Sequence, residues 1–202
     1  MKLRFLAVAA GLMMAIGAAQ AQAPSEVQNQ FAIYATPVFS RISNSTSDSG
    51  VFSFLGPNTT SRLFSGFGLG VYDDFYHSGN VEAGLDMRGN FLRGNGAQLN
   101  SFLFGGRVAF KPEKMPNLKP YFQAGVGVGS SKSKTNPVHY NKLEYNVAAG
   151  IDYRFATHVD FRVIEIGYGS VEAISTNAID QIGTTSNSQL VNFSTGLVFR
   201  LP

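Results

Sequence analysis

The chain has 202 residues, 16 Lys+Arg against 13 Asp+Glu, and no cysteine. That excludes a disulfide framework, thiol chemistry and thiolate metal sites, and the formal charge of +3, much of it from Lys2 and Arg4, makes no case for a nucleic-acid partner. Charged residues are 14%, with 22 Gly and 17 Phe, where soluble domains average about 25% charged; few charges, many aromatics and no apolar run long enough for a spanning helix suit a membrane β-barrel.

The first element is a leader. Met1-Lys2-Leu3-Arg4 carries two positive charges, and an apolar or small stretch runs from Phe5 to Ala19. That layout, with Ala19-Gln20-Ala21 as the small-x-small site, predicts a secretory signal over 1–21 and a mature domain over 22–202. No cysteine follows the apolar stretch, so a lipoprotein anchor is excluded.

Eight alternating segments follow, each with one apolar and one polar or small face, the pattern of a β-strand between two different environments. They are Phe31–Ile42, Leu63–Phe75, Val81–Phe91, Leu99–Phe110, Tyr121–Ser130, Leu143–Phe155, Val159–Tyr168 and Leu190–Leu201. The clearest is the sixth, where Leu143, Tyr145, Val147, Ala149, Ile151, Tyr153 and Phe155 alternate with Glu144, Asn146, Ala148, Gly150, Asp152 and Arg154. In the seventh the phase slips at Val163-Ile164, which predicts a β-bulge near Val163.

Connections alternate in length. His77-Ser78-Gly79, Lys111–Lys119 and Ala156-Thr157-His158 are the short ones. Ser43–Arg62, Ser131–Lys142 and Val171–Gln189 are long and polar, and Leu92–Gln98 is a modest Gly/Asn-rich exception. A sheet crossing a membrane up and down has long loops outside and short turns in the periplasm.

The polar face carries Glu82, Asp86, Glu144, Asp152, Asp160 and Glu165 against Arg88, Arg107, Arg154, Arg162 and Arg200. Eight strands enclose a space just wide enough for side chains to fill. Facing inward, these nearly balanced charges are expected to pair and plug the lumen. The competing architecture is a soluble lipocalin-like barrel with the Phe/Leu/Val face inward. Against it stand the loop alternation and an expected aromatic girdle on the short-turn side: Phe75, Tyr76, Phe110, Tyr121, Phe122, Tyr153, Phe155, Phe161 and Phe199.

With its signal, its eight segments, Phe161-Arg162-Val163-Ile164-Glu165-Ile166-Gly167-Tyr168 and the closing Gly196-Leu197-Val198-Phe199-Arg200-Leu201, the chain resembles the small eight-stranded outer-membrane proteins of Gram-negative bacteria, the OmpA/OmpX type. The resemblance implies an eight-stranded antiparallel up-and-down transmembrane barrel in the outer membrane. It also implies outer-membrane lipid and the assembly machinery as partners. Such proteins commonly end on an aromatic residue that the machinery reads; this chain ends on Leu201-Pro202, with Phe199 the nearest aromatic.

No catalytic set is legible. His77, His139 and His158 fall in or beside turns and lack metal-ligand spacing. Outer-membrane lipid A deacylases, which share this architecture, carry a His-x-Ser motif. Here the candidates read His77-Ser78, His139-Tyr140 and His158-Val159-Asp160. The expectation is a monomeric, non-enzymatic barrel without cofactor or metal, in a structural or surface-interaction role through its loops. A small pore gated by lumen salt bridges and a lipid-modifying enzyme are the alternatives.

Overall fold

The computed structural model describes residues 30–48, 54–56, 58–134, 139–173 and 186–201. The leader expected over 1–21 lies outside the described residues. The strands are β1 (Gln30–Asp48), β2 (Thr59–Ser78), β3 (Val81–Gly94), β4 (Ala97–Phe110), β5 (Leu118–Lys132), β6 (Tyr140–Ala156), β7 (Val159–Ala173) and β8 (Ser186–Arg200). Each pairs antiparallel with its neighbour, and β1 closes the ring against β8.

The register sets the shape. Stepping from Asp73 on β2 through Leu85, Gly106, Ala124, Val147, Tyr168, Val191 and Arg41 returns to β2 at Leu63, ten residues from the start. A shear of that size on eight strands tilts them by roughly 40° and leaves an interior that side chains fill.

The period-2 pattern divides the wall. Phe67, Leu69, Leu85, Phe102, Phe104, Val126, Val128, Tyr145, Ile166 and Phe193 all point outward and are exposed. Many inward positions hold glycines and polar or charged side chains, with Arg107 and Arg162 fully buried. A soluble barrel has the reverse arrangement.

The β2–β3, β4–β5 and β6–β7 connections lie at one end, together with the start of β1 and the end of β8. The β2–β3 turn is Gly79-Asn80, with Gly79 at φ 57°, and it closes the Ser78↔Val81 pair. Residues 157–158 join β6 to β7, and residues 111–117 join β4 to β5 through a turn in which Met115 N–H donates to the Pro112 carbonyl at 3.1 Å.

The strands outrun the alternating segments at the other end. β1 continues six residues past Ile42, through Ser43-Asn44-Ser45-Thr46-Ser47-Asp48, and β7 five past Tyr168, through Gly169-Ser170-Val171-Glu172-Ala173; both extensions keep strand pairing after the regular apolar face has ended. Leu92–Gln98 is the larger departure. It is strand on both sides of a two-residue Asn95-Gly96 turn with φ 50° and 79°, the type I′ geometry that Asn-Gly favours because both central residues need φ > 0.

Ladder irregularities fall where an extra residue enters. Ile151 pairs with Ile164 and Asp152 with Arg162, so Val163 is the unpaired residue, and Val163 and Ile164 both face outward. This is the bulge expected near Val163. A second bulge, absent from the alternation reading, makes Phe75 the extra residue between Asp74↔Gly84 and Tyr76↔Ala83. It turns Phe75 and Tyr76 outward together at the lower rim.

Candidate functional site

The lumen gathers the chemistry-bearing side chains in two tiers. The lower tier is ionic. Asp152 on β6 sits between two arginines: Arg162 Nε donates to its Oδ1 at 2.9 Å and Arg107 Nη2 to its Oδ2 at 3.1 Å. Glu165 on β7 joins Arg162 (Nη1 to Oε2, 3.3 Å) to Arg88 (Nη1 to Oε1, 2.9 Å; Nη2 to Oε2, 3.3 Å). Arg88 Nε in turn donates to Asp86 Oδ1 at 2.9 Å.

Toward the short-turn end, Arg107 Nε lies 3.6 Å from Asp74 Oδ1. Lys119 Nζ reaches Asp74 Oδ2 at 2.8 Å, Glu82 Oε2 at 2.6 Å and Gln30 Oε1 at 2.6 Å. Glu82 also meets Lys111 and lies 3.3 Å from His77 Nε2. A continuous ion-pair chain thus crosses the bore from Asp86 on β3 to the rim.

Three tyrosines frame it. The Arg107 guanidinium carbon lies 4.1 Å from the Tyr72 ring centroid and 3.8 Å from that of Tyr121. That of Arg162 lies 4.4 Å from Tyr34 and 4.8 Å from Tyr121. Two of the hydroxyls add bonds: Tyr121 donates to Glu165 Oε2 at 2.6 Å and Tyr34 to Asp86 Oδ2 at 2.8 Å. Facing glycines make the seats, for a Cβ on Gly70 would run into the Tyr34 ring and one on Gly150 into the Tyr121 hydroxyl. Buried charge is costly unless paired and hydrogen-bonded; every charge in this cluster has an opposite partner, although Arg107 Nε and Nη1 make no hydrogen bond and face Asp74 and the tyrosine rings instead.

The upper tier is apolar. Val38, Ile42, Phe64, Leu92, Ala97, Leu99, Val171 and Leu190 point inward there, joined by Phe54 and Leu55 from the β1–β2 connection. Phe54 stacks on Phe64 at 5.2 Å between centroids, and Leu55 is fully buried. A hydrophobic core therefore fills the outer end of a lumen whose inner half is ionic.

Of the eleven lumen charges expected, Asp86, Arg88, Arg107, Asp152, Arg162 and Glu165 meet in the central cluster, and Glu82 joins it through Lys119. Asp160 and Arg200 form a separate pair at 3.0 Å near the short-turn end. Glu144 is buried but accepts from the Ser101 hydroxyl at 2.6 Å and has no cation beside it among the described residues. Arg154 is a correction: it is exposed at the lower rim, where β6 still pairs with β7 but has passed the end of its ladder with β5. Tyr121 is another, since it faces the lumen and not the girdle. The expected set of lumen charges leaves out Asp74, which alternation puts on the polar face of the second segment, and Lys119, which shares its face with Gln123.

The histidines remain peripheral. His139 Nδ1 lies 3.5 Å from the exposed Ser130 Oγ, and among the described residues no carboxylate completes that pair. No described cluster of His, Asp and Glu could hold a metal.

The model of one protein family, the outer membrane protein beta-barrel domain, matches residues 6–199. No curated protein sequence matches the chain. Among solved structures, neisserial surface protein A is similar at TM-score 0.54 and 14% identity, over 85% of this chain and 97% of that one. Ail, the attachment invasion locus protein of Yersinia pestis, is similar at TM-score 0.52 and 12% identity, over 86% of this chain and 99% of that one. At such identities the likeness is one of fold. The closed eight-stranded ring, its outward apolar face and the family match agree: the chain belongs to the outer membrane protein β-barrel domain family and is a protein of the Gram-negative outer membrane.

Proposed function

We propose that the chain is a monomeric, non-enzymatic outer-membrane barrel with a closed lumen, and that it acts as a structural or surface-interaction protein. The observation that carries this reading is the double filling of the bore: the ionic cluster centred on Asp152 below and the apolar cluster with Phe54 and Leu55 above. Ion pairs alone could rearrange into a pore. A hydrophobic tier in series presents hydrated ions with a second barrier of a different kind. The strand ends that bound the long connections, residues 49–58, 133–139 and 174–185, lie at the outer end, and these polar connections are the surface offered to partners. The fold-level likeness to a surface protein and an attachment protein supports that role in kind. The protein meets outer-membrane lipid through its apolar wall. It meets the assembly machinery through β8, where Phe199 faces outward. Residues 1–21 serve as the cleaved export signal.

Proteoliposomes loaded with a potassium-sensitive dye test the closed lumen. The expected result is flux no greater than in protein-free vesicles; rapid equilibration identifies a pore. Expression in a Gram-negative host followed by lipid A mass analysis tests the enzymatic alternative, with an unchanged profile expected.

A further inference from the structure

The outward face is apolar around most of the wall, but its upper edge is charged over β3–β5. Arg93, on β3, is exposed one outward position above Phe91. It pairs with Gln98 on β4, which pairs with Lys132 on β5, so the three side chains stand in one row across adjacent strands. The row beneath holds Asn100 and Ser130, also paired, and beneath that Phe102 and Val128 begin the apolar wall. Lys134 adds a third cation, its stem lying over the Asn95-Gly96 turn, where a Cβ on Gly96 would meet Lys134 Cγ at 2.9 Å.

No acidic side chain occupies an outward position on β3, β4 or β5. Arg93, Lys132 and Lys134 have no acidic partner among the described residues. The β2–β3, β4–β5 and β6–β7 turns, the start of β1 and the end of β8 lie at the opposite rim, while three of the four connections on this side are the long ones, which assigns this edge to the outer leaflet.

We propose that Arg93, Lys132 and Lys134, with Gln98, Asn100 and Ser130 below them, form a binding site for the phosphate-bearing headgroup of an outer-leaflet glycolipid. The sequence of rows matches such a lipid laid against the wall: acyl chains on Phe91, Phe102 and Val128, sugar hydroxyls at the amide and hydroxyl row, phosphates at the cations. Arginine offers phosphate a planar two-pronged donor and lysine a mobile point charge. Cations beside a membrane surface attract anionic headgroups, with the effect confined to about a Debye length. The site is independent of the lumen and of whether the bore conducts.

The test uses the full barrel in phosphatidylcholine nanodiscs carrying a small fraction of bisphosphorylated lipid A, with bound lipid counted by native mass spectrometry. Wild type is expected to retain it, and Arg93→Gln/Lys132→Gln/Lys134→Gln to bind it about a hundredfold more weakly, consistent with the loss of three surface cations. Lys114→Gln, in the opposite turn, is expected to behave as wild type. Heat-modifiable gel mobility confirms that each variant is folded. Dephosphorylated lipid A is expected to be retained poorly by every form. Equal retention by the triple variant, or by wild type of the dephosphorylated lipid, overturns the proposal. So does inorganic pyrophosphate binding as tightly as the lipid, since the ligand would then be free anion and not a headgroup.

Discussion

The guanidinium carbon of Arg107 lies 3.8 Å from the centre of the Tyr121 ring, and the same tyrosine's hydroxyl donates to Glu165 at 2.6 Å. One side chain thus serves a cation with its face and an anion with its edge. Tyr72 covers Arg107 at 4.1 Å, so the guanidinium is held by two rings while Nη2 donates to Asp152 and Nε lies 3.6 Å from Asp74. A desolvated cation–π contact is worth about 2 kcal/mol or more, and the arrangement explains how a fully buried arginine is stable across the bore.

Arg107→Met is expected to destabilise the barrel by about 3–5 kcal/mol, the range for removing one partner of a buried pair. Urea unfolding in phospholipid vesicles, followed by tyrosine fluorescence, reads it. Arg107→Lys should recover only part of the loss, because lysine lacks the planar fork. A variant with methionine as stable as wild type would show that the cluster fills space without holding the wall.

Tyr121→Phe keeps the ring on Arg107 and removes only the bond to Glu165. Hydrogen bonds to charged groups are worth about 1.5–3 kcal/mol, so a loss in that range is expected in the same assay. Tyr121→Ala should cost clearly more, since it also strips the ring from Arg107 and Arg162.

Leu85 is 44% exposed on the outer wall. Leu85→Arg is expected to cost about 2–4 kcal/mol if the residue faces the bilayer interior. Measured stability within experimental error of wild type would mean that this face meets water.

Leu55 belongs to a connection, yet it is fully buried. Leu55→Ala is expected to cost about 2–5 kcal/mol, as for a core leucine, where an ordinary loop leucine would cost almost nothing. Amide exchange at Phe64 and Leu92 should rise in the same variant.

The strand count, the faces and the Val163 bulge were legible because period-2 alternation between lipid and lumen is a local signal. The two-residue hairpin was hidden because Leu92 and Leu99 break the polar-inside rule: at the outer end of the lumen the inward positions turn apolar, and alternation of hydrophobicity fades although the strand continues. The ionic cluster was legible in its charges and not in its connectivity. Arg88 and Glu165 are 77 positions apart and meet only across the closed ring. Lys119 lay in a segment that looked like a turn. The tyrosines were ambiguous for a different reason, since the same side chain suits a lipid interface and a cation-lined bore; Gly70 and Gly150, which make their seats, carry that information only once the strands are in register.

The most direct measurement of the closed lumen is planar-bilayer recording on three proteins: wild type, Phe54→Ser/Leu55→Ser, and that double variant combined with Arg162→Ala. Two barriers in series predict silence from wild type, silence from the loop variant because the ionic tier still blocks the bore, and discrete ion-conducting steps only when both tiers are breached. Steady conductance from the wild-type barrel, or from the loop variant alone, would contradict a lumen sealed twice.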